Sequence, residues 1–223
     1  MQTDLKSISQ WETENIFTQR WRVEASFSLI ARSHFDHFFE FGCDTGFFTQ
    51  KLATISKRVL ALDINKEAVE YAQTTKLSPN ISWLISDLQV ATIDEGGFDG
   101  MSFLECLYYF DDEVRETMIK KAYRGLRKNG LLLFGGPIQQ EKSKWKWDES
   151  RYFPSIESIE SFLKKHHFEI LKGMAVATSS QWITDSVNQT PGIRFLYPGI
   201  MRTINAWFPG SFRNYVVLAK KKN

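Results

Sequence analysis

The chain alternates strand-like and helix-like segments over most of its length, and this alternation restricts the fold more than any other feature of the sequence. Short apolar runs that suit buried strands recur at 37–41, 58–63, 81–86, 98–105 and 131–136. Segments with the apolar spacing of helices separate them at 46–55, 65–76 and 111–128. Strands that alternate with helices form a parallel sheet with helices on both faces. The sequence therefore predicts an α/β fold with a doubly wound sheet.

The two ends of the chain extend this pattern. Residues 13–33 have the spacing of one or two N-terminal helices, and beyond the alternating region we expect a helix at 155–167 and a strand near 168–176. The segment YVVLAKKK is predicted as the last strand, after a long irregular stretch. With 223 residues and no linker rich in Pro, Gly or Ser, residues 1–223 are expected to form one domain.

Local signals place two helix boundaries. Asn65 stands before a helical segment with an acid close behind, which is typical of an N-cap. The pair Asn129-Gly130 is predicted to end a helix before a buried strand.

Composition excludes several classes of protein. The formal charge is +2, and the basic clusters at 142–146 and 220–222 are short and far apart, so no nucleic-acid partner is expected. The N-terminus lacks the apolar core of a signal peptide, and no run is long enough to span a bilayer. Two cysteines without metal-ligand or disulfide spacing suit a reducing compartment. We therefore expect a cytoplasmic protein without a transmembrane segment.

A glycine turn follows the first predicted strand, in FEFGCDTG at 39–46. The spacing is acid-x-Gly-x-x-x-Gly, from Glu40 through Gly42 to Gly46. A dinucleotide fingerprint would need a third glycine where Phe47 stands, and no lysine is present for a phosphate-binding loop. In an open α/β sheet, ligands bind beyond the carboxyl ends of the strands, where this turn lies.

Two further acids follow the next strands. Asp63 ends LALD, where a carboxylate can accept both hydroxyl groups of a ribose, and Asp87 follows the third strand. Each acid precedes a helix or turn and would alternatively serve as a cap. Together the three acids fit a ligand that has a ribose and an adenine amino group but no pyrophosphate.

These motifs resemble those of the class I S-adenosylmethionine-dependent methyltransferases over residues 15–175. Glu40, Gly42 and Gly46 match the first motif of that superfamily, Asp63 its ribose acid, Asp87 with Leu88 its adenine contact, and LRKNGLLLF its unit before the fifth strand. The resemblance implies a Rossmann-like three-layer α/β/α sandwich whose seven-stranded sheet has the order 3-2-1-4-5-7-6, with the last strand antiparallel. It also implies S-adenosylmethionine as cofactor and S-adenosylhomocysteine as product.

Three segments are similar to the N-methyltransferases of nodulation-factor synthesis, the NodS-like group: FGCDTGFFTQKLA, ISWLISD and ECLYYF. That group methylates an amino-sugar oligosaccharide, but its YY segment and its turn recur in methyltransferases with other acceptors, so we expect transfer to an O or N of a small-molecule or saccharide acceptor. The sequence leaves three alternatives open. They are an aminopropyltransferase, an oxidoreductase and a noncatalytic cofactor-binding protein.

The site residues follow from the resemblance and from residue chemistry. We predict as cofactor-binding residues Arg20, Glu40, Gly42, Cys43, Asp44, Gly46, Asp63, Ile64, Asp87, Leu88 and Glu105. Glu105, Tyr108 and Tyr109, after the fourth strand, are predicted to orient the acceptor, with aromatic packing as the alternative for the tyrosines. No metal site is expected, since the four histidines have no carboxylate at ligand spacing.

Three assignments have alternatives. Either Arg20 or Arg22 could bind the cofactor carboxylate. Asp44 either approaches the amino group of the cofactor or caps the following helix. Residues 177–210, with the loop 138–153, are predicted as a cap over the acceptor pocket; an interfacial segment facing a lipid-linked acceptor is the alternative.

Overall fold

The computed structural model of the protein describes residues 16–138, 153–178, 181–207 and 212–222. The predicted loop with Trp145 and Trp147, and the chain before residue 16, lie outside the described residues. Seven strands form one sheet: β1 (Phe35–Phe41), β2 (Ser56–Asp63), β3 (Ile81–Ile85), β4 (Phe98–Leu104), β5 (Leu126–Pro137), β6 (Phe168–Thr178) and β7 (Phe212–Lys221).

Helices connect most of these strands. The described α-helices are α1 (Ile16–Ser28), α2 (Phe47–Leu52), α3 (Lys66–Thr75), α4 (Asp112–Gly125), α5 (Ile156–Lys165), α6 (Gln181–Gln189) and α7 (Tyr197–Trp207). Short 3-10 turns lie at Leu107–Tyr109 and Pro191–Leu196. No helix in these described ranges is long and apolar enough to cross a membrane.

The sheet has the strand order β3-β2-β1-β4-β5-β7-β6. The pairs formed by β1 through β5 are parallel, whereas β7 runs antiparallel to both of its neighbours, β5 and β6. The predicted fold class and strand order are therefore confirmed. Parallel pairing also brings the carboxyl ends of β1, β2 and β4 to the same edge of the sheet, where the sequence places its acids.

Capping residues start the helices as local chemistry predicts. The side chain of Asn65 accepts a hydrogen bond from the Ala68 N–H, so its role as the N-cap of α3 is confirmed. At α4, Asp111 accepts from the Val114 N–H. Each such bond satisfies an N–H group that the first turn of a helix leaves without an intrahelical partner.

Two sequence predictions about elements are wrong. Helix α4 ends at Gly125, and Asn129-Gly130 lies inside β5, where Asn129 has a left-handed φ of 61° and the register against β4 shifts. A β-bulge and a helix end use the same left-handed residues, so the pair alone could not distinguish them. The stretch after β6 is also more regular than predicted, because Pro191 begins the 3-10 turn and Pro198 lies in the first turn of α7, where a missing N–H is tolerated.

The sheet carries a core on each of its faces. Stacked rings from β1 and β4 fill one side: the ring centroids of Phe39 and Phe41 are 4.1 Å apart, and those of Phe41 and Phe103 are 4.2 Å apart. On the other side, Val23 of α1 and Phe48 of α2 pack with β-strand residues. Burial on both faces fixes β1, and this holds the turn after it in place.

Candidate active site

A cavity of about 670 Å³ opens at the carboxyl edge of the sheet. Ten of the predicted site residues line it: Glu40, Gly42, Cys43, Asp44, Asp63, Ile64, Asp87, Leu88, Glu105 and Tyr109. The wall is completed by residues of α1, α2 and the 3-10 turn after β4. Sequence motifs that are separated by up to 69 positions thus meet around one space.

The glycine turn forms the floor of the cavity. Gly42 has a left-handed φ of 74°, and a Cβ at this position would lie 2.9 Å from the Cβ of Cys106. The backbone N–H groups of Gly42 and Cys43 both donate to the carbonyl oxygen of Leu62, at 2.8 and 3.0 Å. The position therefore requires glycine both for its backbone conformation and for the close approach of Cys106.

Gly46 lies at the start of the helix that follows the glycine turn. It is the N-cap of α2 with a φ of 76°, and it lies outside the cavity wall. A Cβ at Gly46 would lie 2.5 Å from the ring of Trp83 on β3. This glycine allows the turn to pack against the neighbouring strand, and any effect on the cofactor passes through the backbone.

Asp63, the last residue of β2, holds the turn from the other side. Its Oδ2 accepts a hydrogen bond from the Asp44 N–H at 2.8 Å, and its Oδ1 accepts from the Asn65 N–H at 2.9 Å. Each carboxylate oxygen can accept more than one hydrogen bond, so the same group can still receive two hydroxyl donors from the cavity. The Asp63 carboxylate is therefore oriented by the backbone before any ligand arrives.

Asp44 adopts a left-handed backbone conformation, with a φ of 45°. The N-cap of α2 is Gly46, two residues after Asp44. Asp44 lines the cavity beside Asp63.

Glu40 is buried on β1 with its Oε2 lacking a hydrogen-bond partner among the described residues. Burial raises the pKa of this carboxyl to about 8, and the nearby carboxylates of Asp63 and Asp44 also raise it. A buried polar atom without a partner on a cavity wall is costly unless a ligand supplies one. Glu40 is therefore suited to a donor or a cation brought by the ligand.

The loop after β3 is fixed by a single lysine. The ammonium of Lys121, on α4, donates to the carbonyl oxygens of Leu88, Gln89 and Ala91, at 3.2, 2.9 and 2.8 Å. Asp87 orders the same loop by accepting from the Gln89 N–H at 2.8 Å. Sequence reasoning missed Lys121, because its contacts lie 30 to 33 positions away along the chain.

Glu105 follows β4 directly and has a φ of 56°, which is rare for a residue with a side chain. Its carboxylate accepts from the Asn214 amide, with Nδ2 at 2.7 Å from Oε1 and 2.9 Å from Oε2. A guanidinium nitrogen of Arg22 lies 3.7 Å from Oε2. Three elements, α1, β4 and β7, thus converge on this group.

The structure separates the two candidate arginines. Arg22 lines the cavity, whereas Arg20 is exposed, outside the cavity wall, with its guanidinium 5.8 Å from the centre of the Phe47 ring. Residues two apart on a helix project about 200° apart around its axis, so the same helix face cannot present both. Of the two, Arg22 is the arginine that the structure places at the cavity, whereas Arg20 is not brought to it.

The two tyrosines also differ. Tyr109 lines the cavity and is 54% exposed, whereas Tyr108 lies outside the wall and donates a hydrogen bond to the Tyr109 hydroxyl at 2.7 Å. Burial raises the pKa of Tyr108, so its hydroxyl stays protonated. Tyr108 contacts the cavity wall through its hydrogen bond to Tyr109.

The cavity wall includes residues that sequence reasoning did not select. Ser26, Phe47, Phe48 and Phe110 line it together with Cys106. Burial raises the pKa of both the Cys43 and the Cys106 thiol, which keeps them neutral and unreactive. Four of the five residues lie in the segments FGCDTGFFTQKLA and ECLYYF, but the sequence does not show which of their side chains reach the cavity, because that depends on how the elements pack on the sheet.

Comparison with known proteins agrees with this geometry. A family described as "Methyltransferase domain" matches residues 38–130, which contain the glycine turn and the acids after β2 and β3. Nodulation protein S of Rhizobium tropici is 28% identical over 145 residues, which cover 64% of this chain and 60% of that protein. The alignment thus spans less than two thirds of that relative.

Solved structures share the fold over nearly the whole chain. The N-methyltransferase NodS from Bradyrhizobium japonicum WM9, in complex with S-adenosylhomocysteine, superposes with a TM-score of 0.69 and 21% identity, covering 97% of this chain and 93% of that one. The [4+2]-cyclase SpnF superposes with a TM-score of 0.65 and 16% identity, over 90% of this chain and 79% of that one. The same fold thus occurs in a protein described by a reaction other than methyl transfer.

The domain match, the NodS relatives and the strand order lead to one family. Residues 38–130 match a methyltransferase domain, and together these findings support a class I S-adenosylmethionine-dependent methyltransferase that is similar to the NodS-like group.

Proposed function

We propose that this protein transfers a methyl group from S-adenosylmethionine to the nitrogen or oxygen of a small-molecule or sugar-type acceptor. The observation that carries the proposal is the charge of the cavity wall. Its described acids are Asp44, Asp63, Asp87 and Glu105, together with the buried Glu40, whose raised pKa keeps it mostly protonated at pH 7. Among its described residues, Arg22 is the one arginine or lysine. An acidic wall favours a cofactor that carries a sulfonium cation and disfavours a pyrophosphate.

The donor and acceptor groups of the wall fit the parts of this cofactor. Asp63 is oriented to accept the ribose hydroxyl groups, and the Asp87–Leu88 loop to receive the adenine. Glu40, whose buried oxygen lacks a partner among the described residues, suits the amino group of the methionine part. Arg22 suits its carboxylate. Gly42, Cys43, Asp44 and Ile64 shape the space between these contacts.

The acceptor, in this proposal, lies next to Glu105 and Tyr109. Bound S-adenosylmethionine supplies an electrophilic methyl group, and its displacement leaves S-adenosylhomocysteine. The chain has to align the acceptor and exclude water from it. Glu105 and Tyr109 can accept hydrogen bonds from an amine or a hydroxyl, and Glu105 can take the proton that a nucleophile loses. The acidic wall attracts a cationic amine, which favours N-methylation over O-methylation.

The role of residues 177–210 is revised from a pocket wall to a support. Their described residues lie outside the cavity wall, and Tyr197 packs edge-on against Phe17 and Trp21 of α1, with both centroid distances 5.8 Å. Asn188 of α6 accepts a hydrogen bond from the Thr18 N–H. In the proposal, this segment acts by holding α1, whose Arg22 reaches the cavity.

Exposed aromatic side chains and free thiols bear on where the enzyme and its acceptor are found. Trp182 and Phe195 are 77% and 76% exposed, which suits contact with a lipid-linked acceptor more than a packed cap. Cys43 and Cys106 are free thiols, which suits the reducing cytoplasm.

The test is product formation with defined acceptors. The protein is incubated with S-adenosylmethionine and glucosamine, a glucosamine disaccharide or a matched N-acetylated disaccharide, and S-adenosylhomocysteine is measured by mass spectrometry. We expect methyl transfer to the free amines, loss of turnover in Glu105→Gln, and no transfer to the N-acetylated control. Calorimetric binding of the cofactor without transfer to any acceptor would instead favour a noncatalytic cofactor-binding protein. Reaction with decarboxylated S-adenosylmethionine would favour an aminopropyltransferase.

A further inference from the structure

Asn214 occupies a position in the fold where its backbone cannot easily move. It lies on β7 between two antiparallel neighbours, paired with Pro137 of β5 and with Ala177 of β6, and it is 4% exposed. A buried polar side chain on a central strand is unusual unless its hydrogen bonds are satisfied. Here the amide group is directed at one acceptor, the carboxylate of Glu105.

The contact between these residues has a particular chemical character. One amide nitrogen lies within hydrogen-bond distance of both carboxylate oxygens, at 2.7 and 2.9 Å. An amide carries no charge, so it orients the carboxylate without neutralising it. A lysine in the same place would neutralise it. Each oxygen of Glu105 keeps acceptor capacity for a group in the cavity.

The backbone of Glu105 is constrained as well. Its φ of 56° is costly for a residue with a side chain, and its N–H donates to the Gly135 carbonyl oxygen at 2.9 Å. Such conformations persist where the surroundings impose them, and they are concentrated at functional sites. The amide of Asn214 and the bond to Gly135 hold both ends of this residue, side chain and backbone.

We propose that Asn214 is a positioning residue that holds the Glu105 carboxylate against the acceptor. The proposal rests on the proposed function, because it assumes that the acceptor binds beside Glu105. It explains why a strand at the far end of the sequence contributes a polar side chain to the cavity edge. Arg22 adds a cation from α1 on the same carboxylate, at 3.7 Å. This longer contact leaves Asn214 as the shorter and more directional restraint.

Asn214→Asp tests the proposal, because the substitution keeps the shape of the side chain and changes only its chemistry. Comparing the same variant at two pH values provides an internal control. The introduced carboxyl group would face Glu105, and two adjacent carboxyl groups hold a shared proton to higher pH than a single one. Protonated, the introduced group can donate one hydrogen bond and restore part of the contact; ionised, it repels Glu105. Among the described residues, the other titratable groups that interact with Glu105 include Arg22, Tyr108 and Cys106; burial raises the pKa of the last two, which keeps them neutral.

We expect the ratio of wild-type to Asn214→Asp kcat/KM for glucosamine to depend on pH. At pH 8 the variant should lose about 10- to 100-fold, as expected for losing a hydrogen bond to a charged group, and at pH 5.5 it should recover most of the loss. The affinity for S-adenosylhomocysteine should change little. The matched control is Asn80→Asp, whose amide also donates to two oxygens but at the opposite edge of the sheet. Its ratio to wild type should not depend on pH.

A crystal structure of Asn214→Ser with S-adenosylhomocysteine gives a second readout that needs no turnover. The proposal predicts that the Glu105 carboxylate leaves its wild-type position in this variant. Glu105 in its wild-type position, or a variant-to-wild-type ratio that is flat with pH, would overturn the proposal. A third outcome separates the two proposals. If wild-type protein transfers no methyl group but Glu105 is displaced in Asn214→Ser, the proposed function is contradicted and the contact between Asn214 and Glu105 is still supported.

Discussion

The Oδ2 atom of Asp63 accepts a hydrogen bond from the backbone N–H of Asp44 at 2.8 Å. This bond connects the end of β2 to the glycine turn after β1, so the group assigned to the ribose also fixes the turn. Binding and local stability are therefore coupled at this residue, and a simple substitution will change both.

Asp63→Ala should weaken binding of S-adenosylhomocysteine by ~1.5–3 kcal/mol, because the ribose loses a charged acceptor. To separate this effect from the disturbed turn, the 2′,3′-dideoxy analogue is titrated into both proteins by calorimetry. Wild-type protein should prefer the natural ligand, and Asp63→Ala should bind both about equally. An undiminished preference in the variant would show that Asp63 does not contact the ribose.

Cofactor binding should release a proton from Glu40 near neutral pH. With its pKa raised to about 8, this carboxyl is mostly protonated at pH 7, and the cationic cofactor favours the ionised form. Calorimetry in buffers of different ionisation enthalpy measures the release. Wild-type protein should release close to one proton more than Glu40→Gln at pH 7. The difference removes the contribution of the cofactor's own amino group, and equal release by the two proteins would argue against the assignment.

The same pKa predicts how the stability of the ligand-free protein depends on pH. Between the ordinary value of 4.5 and about 8, the folded state keeps a proton that the unfolded state has lost. The contribution of Glu40 to the free energy of unfolding is therefore full below this window and is lost as the pH rises through it. Glu40→Gln should lack this decline in chemical denaturation measured from pH 5 to 8.

The Asp87 loop should discriminate adenine from hypoxanthine. A carboxylate accepts a hydrogen bond from the exocyclic amino group of adenine but cannot donate to the carbonyl oxygen of hypoxanthine. Competition binding with S-inosylhomocysteine should show affinity about 10-fold or more below that of S-adenosylhomocysteine, as for an unpaired charged acceptor. In Asp87→Asn, the amide can donate to the carbonyl oxygen of hypoxanthine, so the difference in affinity between the two ligands should become smaller. Equal affinity for the two ligands in wild-type protein would remove the assignment.

Two aromatic residues of the C-terminal segment should respond differently to truncation. Tyr197 is 1% exposed, so Tyr197→Ala should cost ~3–5 kcal/mol of unfolding free energy, as for other buried aromatic residues. Trp182 is 77% exposed, and Trp182→Ala should stay within about 0.5 kcal/mol of wild type. Urea denaturation of both variants makes the comparison. A neutral Tyr197→Ala would contradict the support role of this segment.

Much of the fold and the cofactor side of the site could be predicted from the sequence. Asp63 and Asp87 stand at the ends of strands whose apolar pattern is strong, and parallel pairing brings such ends together without further information. Gly46 shows the limit of this reasoning. Its motif position is right, but the reason for the glycine is its contact with Trp83, which depends on how the turn packs on β3.

The Glu105 side of the cavity was harder to predict because its contacts are long-range. Asn214 meets Glu105 across 109 positions, through the antiparallel return of β7, and no local pattern marks a single asparagine before an apolar run. To choose between Arg20 and Arg22, one likewise needs to know how α1 is oriented about its own axis. Helical spacing gives the angle between two residues but does not state which of them faces the sheet.

The most direct test of the central claim is a calorimetric titration of the wild-type protein with S-adenosylmethionine, with NAD⁺ as the comparison ligand. The acidic cavity predicts one bound S-adenosylmethionine per chain, with affinity that falls as salt is added, and no measurable binding of the negatively charged dinucleotide. Binding of NAD⁺ with equal or greater affinity, or no binding of S-adenosylmethionine at low salt, would contradict the account.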